Sequence, residues 1–281
     1  AASTTVATVG GFLYGSEIEP HWVDVSQVTL RLPRLQPQFD GYRLVHITDL
    51  HMDATWMTRD RLAGLVRLIN AQQPELVAIT GDFITDSPDV YGEDLRAALG
   101  LLEAPDGVVG VLGNHDHWSN AAISRQVLRA SNVQVLDDAT LTLRRSNDLL
   151  HLVGLDDLWP DPYMMNNVDM LARQPGLVDL ASRLPADGAA ILLVHEPDFA
   201  DISAEVGRFD LQLSGHSHGG QVRAPLYGNL VAPYLATKYP DRRYQVGSMI
   251  QSTGRGLGMV WPQVRFFCRP EITVFTLTGA A

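Results

Sequence analysis

The apolar positions of this chain fall into short runs that stop abruptly in polar residues. Residues 42–48 (YRLVHIT) run into DLH, 75–80 (ELVAIT) into GDFITD, and 107–112 (GVVGVL) into GNHDHW. Residues 189–194 (AAILLV) run into HEPD, and 210–213 (DLQL) into SGHSHGG. Such short, β-rich runs are the signature of buried strands. Between them, apolar residues recur at helical spacing. Leu62, Leu65, Val66 and Ile69 form one stripe behind Thr58, a favoured N-cap residue. Leu95, Ala98, Leu99 and Leu102 form a second, and Ser119 is placed to cap a helix reaching about Ala130. Strand–helix alternation argues βαβ units. Residues 244–278 read instead as consecutive strands joined by glycine turns. The expected fold class is therefore α/β, a sandwich of two mixed sheets rather than one open parallel sheet.

Composition bounds the picture without changing it. With 281 residues, 46% of them hydrophobic, the chain can bury one sizeable core. No fixed-period repeat or low-complexity linker divides it. The expected division is an N-terminal segment, 1–40, followed by one domain, 41–281. The opening AASTTVATVGGFLYG is uncharged, and it is too short and glycine-rich to span a bilayer. It reads either as a frayed or strand-like end, or as the stub of an export signal or membrane anchor. The second reading places the protein in the cell envelope, near a membrane, or exported. The lone cysteine, Cys268, beside Phe266 and Phe267, rules out a disulfide framework and a Cys-based zinc site, and reads as core. A net charge of −11 leaves no basic stripe for a nucleic-acid backbone.

The candidate chemistry sits at the five strand exits. They carry Asp49 and His51, Asp82, Asn114 and His115, His195, and His216 with His218. In open α/β sheets, ligands bind beyond the carboxyl ends of strands. Carboxylate, imidazole and amide oxygen suit zinc, manganese, iron or cobalt, and the residue types do not choose among these. Seven of the groups, His115 excepted, are enough for two divalent ions if one carboxylate bridges. Asp82 is expected to do so, one oxygen to each ion. Strand alternation would turn both side chains of D-x-H, and both of H-x-H, to one side. His46 lies inside a strand run and reads as a buried hydrogen-bonded residue. His21 and His151 read as structural, and His117 either lines the pocket or packs on Trp118. Arg223, with Arg242 and Arg243, is a candidate for substrate phosphate. The loops 156–167 and 227–240, rich in proline, aromatics and methionine, are candidate apolar walls.

The ordered series ITDLH, TGDF, GNHD, LLVHEPD and SGHSHGGQ, spread over residues 42–222, resembles the calcineurin-like metallophosphoesterases. The tail VGSMIQSTGRGLG…RFFCRPEITVFTL resembles a bacterial phosphodiesterase branch often found with an N-terminal export signal or anchor. The resemblance implies that Asp49, His51 and His218 hold one ion and Asn114, His195 and His216 the other, with Asp82 bridging. It implies a four-layer α-β-β-α sandwich of two mixed sheets, of the metallo-dependent phosphatase type, and that His115 faces the phosphoryl oxygen or the leaving group. Protein-phosphatase members place an aspartate three residues after the bridging one. Here that position is Thr85, so either Asp86 or Asp116 is expected to orient His115, or His115 acts mainly as a hydrogen-bond donor. The implied activity is hydrolysis of a small-molecule phosphodiester or phosphomonoester, the branch favouring the diester. The alternatives are pyrophosphate hydrolysis of a UDP-linked acylated sugar, as in lipid A synthesis, and a non-catalytic docking scaffold. The substrate and the oligomeric state are not legible.

Overall fold

The computed structural model describes Gly11 and residues 13–164, 168–225 and 227–279. One sheet contains β1 (Asp24–Arg31), β2 (Tyr42–Ile47), β3 (Leu76–Thr80), β4 (Val108–Val111), β5 (Val133–Val135) and β14 (Glu271–Thr278). Their order is β1-β14-β2-β3-β4-β5. The second contains β6 (Ala139–Arg145), β7 (Asp148–Gly154), β8 (Ala189–Leu193), β9 (Leu211–Ser214), β12 (Arg242–Val246) and β13 (Met249–Thr253), ordered β12-β13-β9-β8-β7-β6. A short ladder of β10 (Arg223–Ala224) and β11 (Gly228–Asn229) stands apart. The first sheet has parallel β2, β3, β4 and β5 with antiparallel β14 on one side, and the second has parallel β13, β9, β8 and β7 with antiparallel β12 and β6 outside them, so both sheets are mixed.

The period-two pattern of the strands sorts their side chains into layers. On β2, Val45 and Ile47 face α1 (Arg59–Asn70), α2 (Pro88–Leu99) and α3 (Asn114–Ala130), while Leu44 faces the other sheet. On β8, Ile191 and Leu193 fill the space between the sheets. Ala190 and Leu192 meet α4 (Gln174–Ser182) and α5 (Ala200–Glu205) with their neighbours. The result is helix, sheet, sheet, helix. Each fully buried leucine or isoleucine in these layers contributes about 1.5–3 kcal/mol. Thr58 caps α1, its side chain accepting from the Arg61 N–H, and Leu62, Leu65, Val66 and Ile69 are all buried.

Three expectations about the chain path change. The cap expected at Ser119 belongs to Asn120, which leaves helical geometry at φ −171° and accepts from the Ile123 N–H. Ser119 instead donates to the His115 carbonyl and ends the turn that carries the His115 loop. The C-terminal strands do not stay together. β12 and β13 form a hairpin in the second sheet, whereas β14 crosses to the first and pairs with β1 and β2. The boundary at residue 40 divides no bodies, because β1 runs parallel to β14 from Asp24↔Glu271 to Arg31↔Thr278. Residues 1–10 of the expected signal or anchor, and 165–167 of the loop 156–167, lie outside the described residues. Among the described residues, no helix is long and apolar enough to cross a membrane.

Candidate dinuclear metal centre

β2, β3, β4, β8 and β9 release their chains toward one place, and each loop delivers side chains there. The delivery is not the strand alternation expected from D-x-H and H-x-H. Asp49, His51, Asp82, His216 and His218 have φ of 50°, 48°, 53°, 67° and 51°. These left-handed turns cost about 1–3 kcal/mol each and persist only where the surroundings fix them. The fixing is by close approach. A Cβ on Gly113 would lie 2.4 Å from Asp82 Oδ1, and one on Gly215 would lie 1.9 Å from Thr48 Oγ1 and 2.5 Å from Asp49 Oδ2. Glycine at these positions lets backbone pack directly on the ligand loops.

The side chains form two groups sharing Asp82. Asp49, His51, Asp82 and His218 bring one donor atom each within 4.8 Å of one another, as do Asp82, His195 and His216. His51 Nε2 lies 3.1 Å from His218 Nε2, and His218 Nε2 lies 3.4 Å from Asp49 Oδ1. His195 Nε2 lies 3.2 Å from His216 Nδ1. Ligand atoms about 2.1 Å from one ion stand roughly 3.0–3.4 Å apart, so these spacings fit shared cations. Asp82, expected to offer one oxygen to each ion, turns the same oxygen toward the imidazoles of both groups. Its Oδ2 is 3.4 Å from His51 Nε2 and 3.3 Å from His195 Nε2, while Oδ1 accepts from the His115 N–H at 2.9 Å. Asn114 Oδ1 is buried without a hydrogen-bond partner among the described residues. A buried amide oxygen left bare costs about 1–3 kcal/mol, which a cation would remove.

Hydrogen bonds behind the ligands fix which nitrogen carries the lone pair. His195 Nδ1–H donates to the Thr80 carbonyl at 2.7 Å, turning Nε2 to Asp82. His216 Nε2–H donates to the Tyr234 carbonyl at 2.8 Å, leaving Nδ1 free. Burial depresses His216 to about 4 and also lowers His51 and His218, so all three favour the neutral imidazole that a metal ion requires. Burial raises the Asp49 carboxyl to about 7. Burial opposes charge on both Asp82 and His195, but their mutual attraction prevails, holding Asp82 low and raising His195 to about 10. A divalent cation held by His195 would take the place of that proton.

His115 Nδ1–H donates to the Thr85 carbonyl at 3.0 Å, and its ring lies between those of His51 and Trp118. A backbone oxygen therefore orients it, and neither Asp86 nor Asp116 does. Asp116 is fully buried and accepts from the N–H groups of Gly113, Phe83 and Ile84. It is a positioning residue that locks the Asp82 loop to the Asn114 loop. Arg223 pairs with Asp241 and lies outside the lining of the cavity above the ligands, so it is not placed for phosphate there. His46 donates to or accepts from Thr80 Oγ1 inside the core, and His151 bonds Thr142 and the Asp187 carbonyl. His21 bonds the Glu17 carbonyl. His117 pairs with Asp156, and Trp118 lines the cavity in its stead.

Sequence reading missed Arg265. It is completely buried, and its guanidinium donates to the carbonyls of Gly256, Gly258 and Cys268. The braced segment in turn donates from Leu257 N–H to the Thr48 carbonyl and from Gly258 N–H to the Asp49 carbonyl. The left-handed turn at Asp49 thus rests on Arg265. Glu19, also buried, accepts from the N–H groups of Phe267 and Cys268 and adds the N-terminal segment to the brace. The one signal was a cation inside the apolar run VRFFC. The HEPD stretch also supports the walls: Glu196 accepts from Leu158 N–H, and Asp198 from the N–H groups of Thr237, Lys238 and Tyr239.

Residues 42–220 match the family model described as calcineurin-like phosphoesterase. The chain is 35% identical to the uncharacterized metallophosphoesterase YkuE of Bacillus subtilis, over 98% of this chain and 93% of that protein. It is 26% identical to phosphodiesterase YaeI of Escherichia coli, over 99% and 96%. It is 24% identical to UDP-2,3-diacylglucosamine pyrophosphatase LpxG of Chlamydia muridarum, over 95% and 93%. A dimetal phosphatase from Danio rerio shares the fold with a TM-score of 0.51 at 14% identity, over 78% of this chain and 88% of that one. With the sandwich, the two donor groups and a family match over most of its length, this chain belongs to the calcineurin-like phosphoesterases and is a metal-dependent phosphoester hydrolase.

Proposed function

We propose that this protein hydrolyses phosphodiesters at a centre of two divalent cations. Asp49, His51 and His218 would hold one ion and Asn114, His195 and His216 the other, with Asp82 shared between them. When bound, the ions lower the pKa of water toward neutrality and neutralise charge developing on the phosphoryl oxygens. The chain does the rest. Asp116 and the His115 N–H hold the Asp82 carboxylate in place. His115, its Nδ1–H fixed on the Thr85 carbonyl, has Nε2 for the leaving group; as the imidazolium it gives that oxygen the Nε2 proton as the P–O bond breaks, and the proton lost by the attacking water restores it. The oxygen of water ends on phosphorus, and no covalent phospho-enzyme is needed.

The observation that supports this most is the single Asp82 oxygen lying within 3.4 Å of imidazole nitrogens from both groups. For the diester, the support is the likeness to YaeI and a cavity over the ligands with no Lys or Arg in its lining among the described residues, a poor match for a phosphomonoester dianion. The test is metal analysis with a substrate panel. After manganese or zinc loading, about two ions per chain and faster cleavage of bis(4-nitrophenyl) phosphate than of 4-nitrophenyl phosphate are expected. Occupancy well under one ion would overturn the proposal. The likeness to LpxG and the apolar lining favour a second reading, cleavage of a UDP-linked acylated sugar at its pyrophosphate. Release of UMP would distinguish it.

A further inference from the structure

The space above the ligands is a cavity of about 520 Å³, within the range of small-molecule sites. Asp82, Asn114, His115, His216 and His218 reach it on one side. The rest is apolar: Trp118, Trp159, Leu230, Val231, Val260 and Trp261 are the main walls. Outward, the wall becomes a bare rim, with Leu230 59%, Val231 73% and Trp261 89% exposed. Clustered exposed apolar side chains at a cleft mouth mark a binding surface more often than chance.

The few polar groups of this wall are already used. Gln221 donates to the carbonyls of Val260 and Pro262 and accepts from the Val260 N–H. Ser217 Oγ accepts from the Gly219 N–H. A nucleobase or an unsubstituted sugar would find its polar edges facing hydrocarbon, losing hydrogen bonds to water with none in return.

We infer that the substrate is an amphiphile, a phosphodiester with one hydrocarbon arm that lies along Trp118, Trp159 and Trp261 while its phosphate meets the ligands. This rests on the phosphodiesterase reading for its reaction, but the cavity is tested separately from turnover. The first measurement is kcat/KM for 4-nitrophenyl n-alkyl phosphates from methyl to octyl, each below its micelle-forming concentration. The leaving group is constant, so only the arm changes. A fully buried methylene is worth about fourfold, from about 0.8 kcal/mol, so at least about a tenfold rise from butyl to octyl is expected. V231D places a charge on the exposed rim, where folding is not at risk, and flattens that rise. The second measurement is the intrinsic fluorescence of the protein, three of whose five tryptophans line the cavity, titrated with methyl- and octylphosphonate. Octylphosphonate binding at least about tenfold tighter is expected on the same basis. Turnover of the diesters with a flat chain-length profile overturns the inference and leaves the phosphodiesterase reading standing. Tight octylphosphonate binding weakened by V231D, with no diester cleaved, does the reverse. Equal binding of the two phosphonates overturns the inference whatever the turnover.

Discussion

Asp116→Asn separates a positioning role from a catalytic one. The carboxylate accepts from three buried backbone N–H groups, at Gly113, Phe83 and Ile84, with distances of 3.0–3.3 Å. Asparagine has the same shape but only one acceptor oxygen, so its NH₂ group must oppose at least one of those donors. One orphaned buried N–H costs about 1–3 kcal/mol, and loss of the charge weakens the bonds that remain. A loss of roughly 2–3 kcal/mol lowers Tm by about 3–5 °C in a chain of this size. Because the braced loops carry Asp82 and Asn114, metal affinity should fall by about 10–100-fold, as for other groups behind metal ligands. His115 keeps its own anchor, the Thr85 carbonyl, so at saturating metal the shape of the pH–kcat profile should not change. The assays are calorimetry, metal titration and the pH profile on one diester. An unchanged Tm and metal affinity, with an altered profile and a large drop in kcat at saturating metal, would refute the reasoning.

Asp82→Asn should remove metal and activity together, since one oxygen serves both groups; metal analysis after loading reads the first. His115→Ala should lower kcat by about 10²–10⁴ with two ions retained, because the N–H that holds Asp82 belongs to the backbone. Arg265→Met should release the carbonyls of Gly256 and Gly258, weakening metal binding through the Asp49 turn, and it should lower Tm even in chelator. His46 is pushed down by burial to about 3, below its unfolded value near 6.5, so the unfolded chain binds its proton more tightly. Its contribution to stability is present above about pH 6.5 and is lost as pH falls toward 3, at about 1.4 kcal/mol per pH unit. In chelator, His46→Gln should therefore lose about 2 kcal/mol less than the unmodified chain between pH 7 and pH 5, measured by denaturant unfolding. Parallel losses in both proteins would contradict this.

Much of the centre was legible because strand exits are short and local: an apolar run sets the strand, and the next residues must leave it. That located Asp49, His51, Asp82, Asn114, His115, His195, His216 and His218 without any long-range information. The α/β class followed from the alternation of strands and helices, and the second sheet was expected from the consecutive strands after residue 244. Other features were not local. Asp116 and Arg223 look equally available as charged residues near motifs. Which one faces the centre depends on partners 33 residues away for Asp116 with Phe83, and 18 away for Arg223 with Asp241. Arg265 was invisible as a brace, because its acceptors are carbonyl groups, which every residue type has.

By itself, the sequence determined the ligand types, their order and the strands that end at them, since hydrophobic periodicity and donor chemistry are properties of neighbouring residues. Only the tertiary structure decided how they are used. It put five residues of the two donor groups in left-handed turns, turned the same oxygen of Asp82 toward both groups, and assigned the orienting of His115 to a carbonyl. It also carried β14 across to the first sheet and built the apolar cavity from residues 118 to 262. These outcomes depend on which loops approach within a few ångströms across the sandwich, and no stretch of chain encodes that alone.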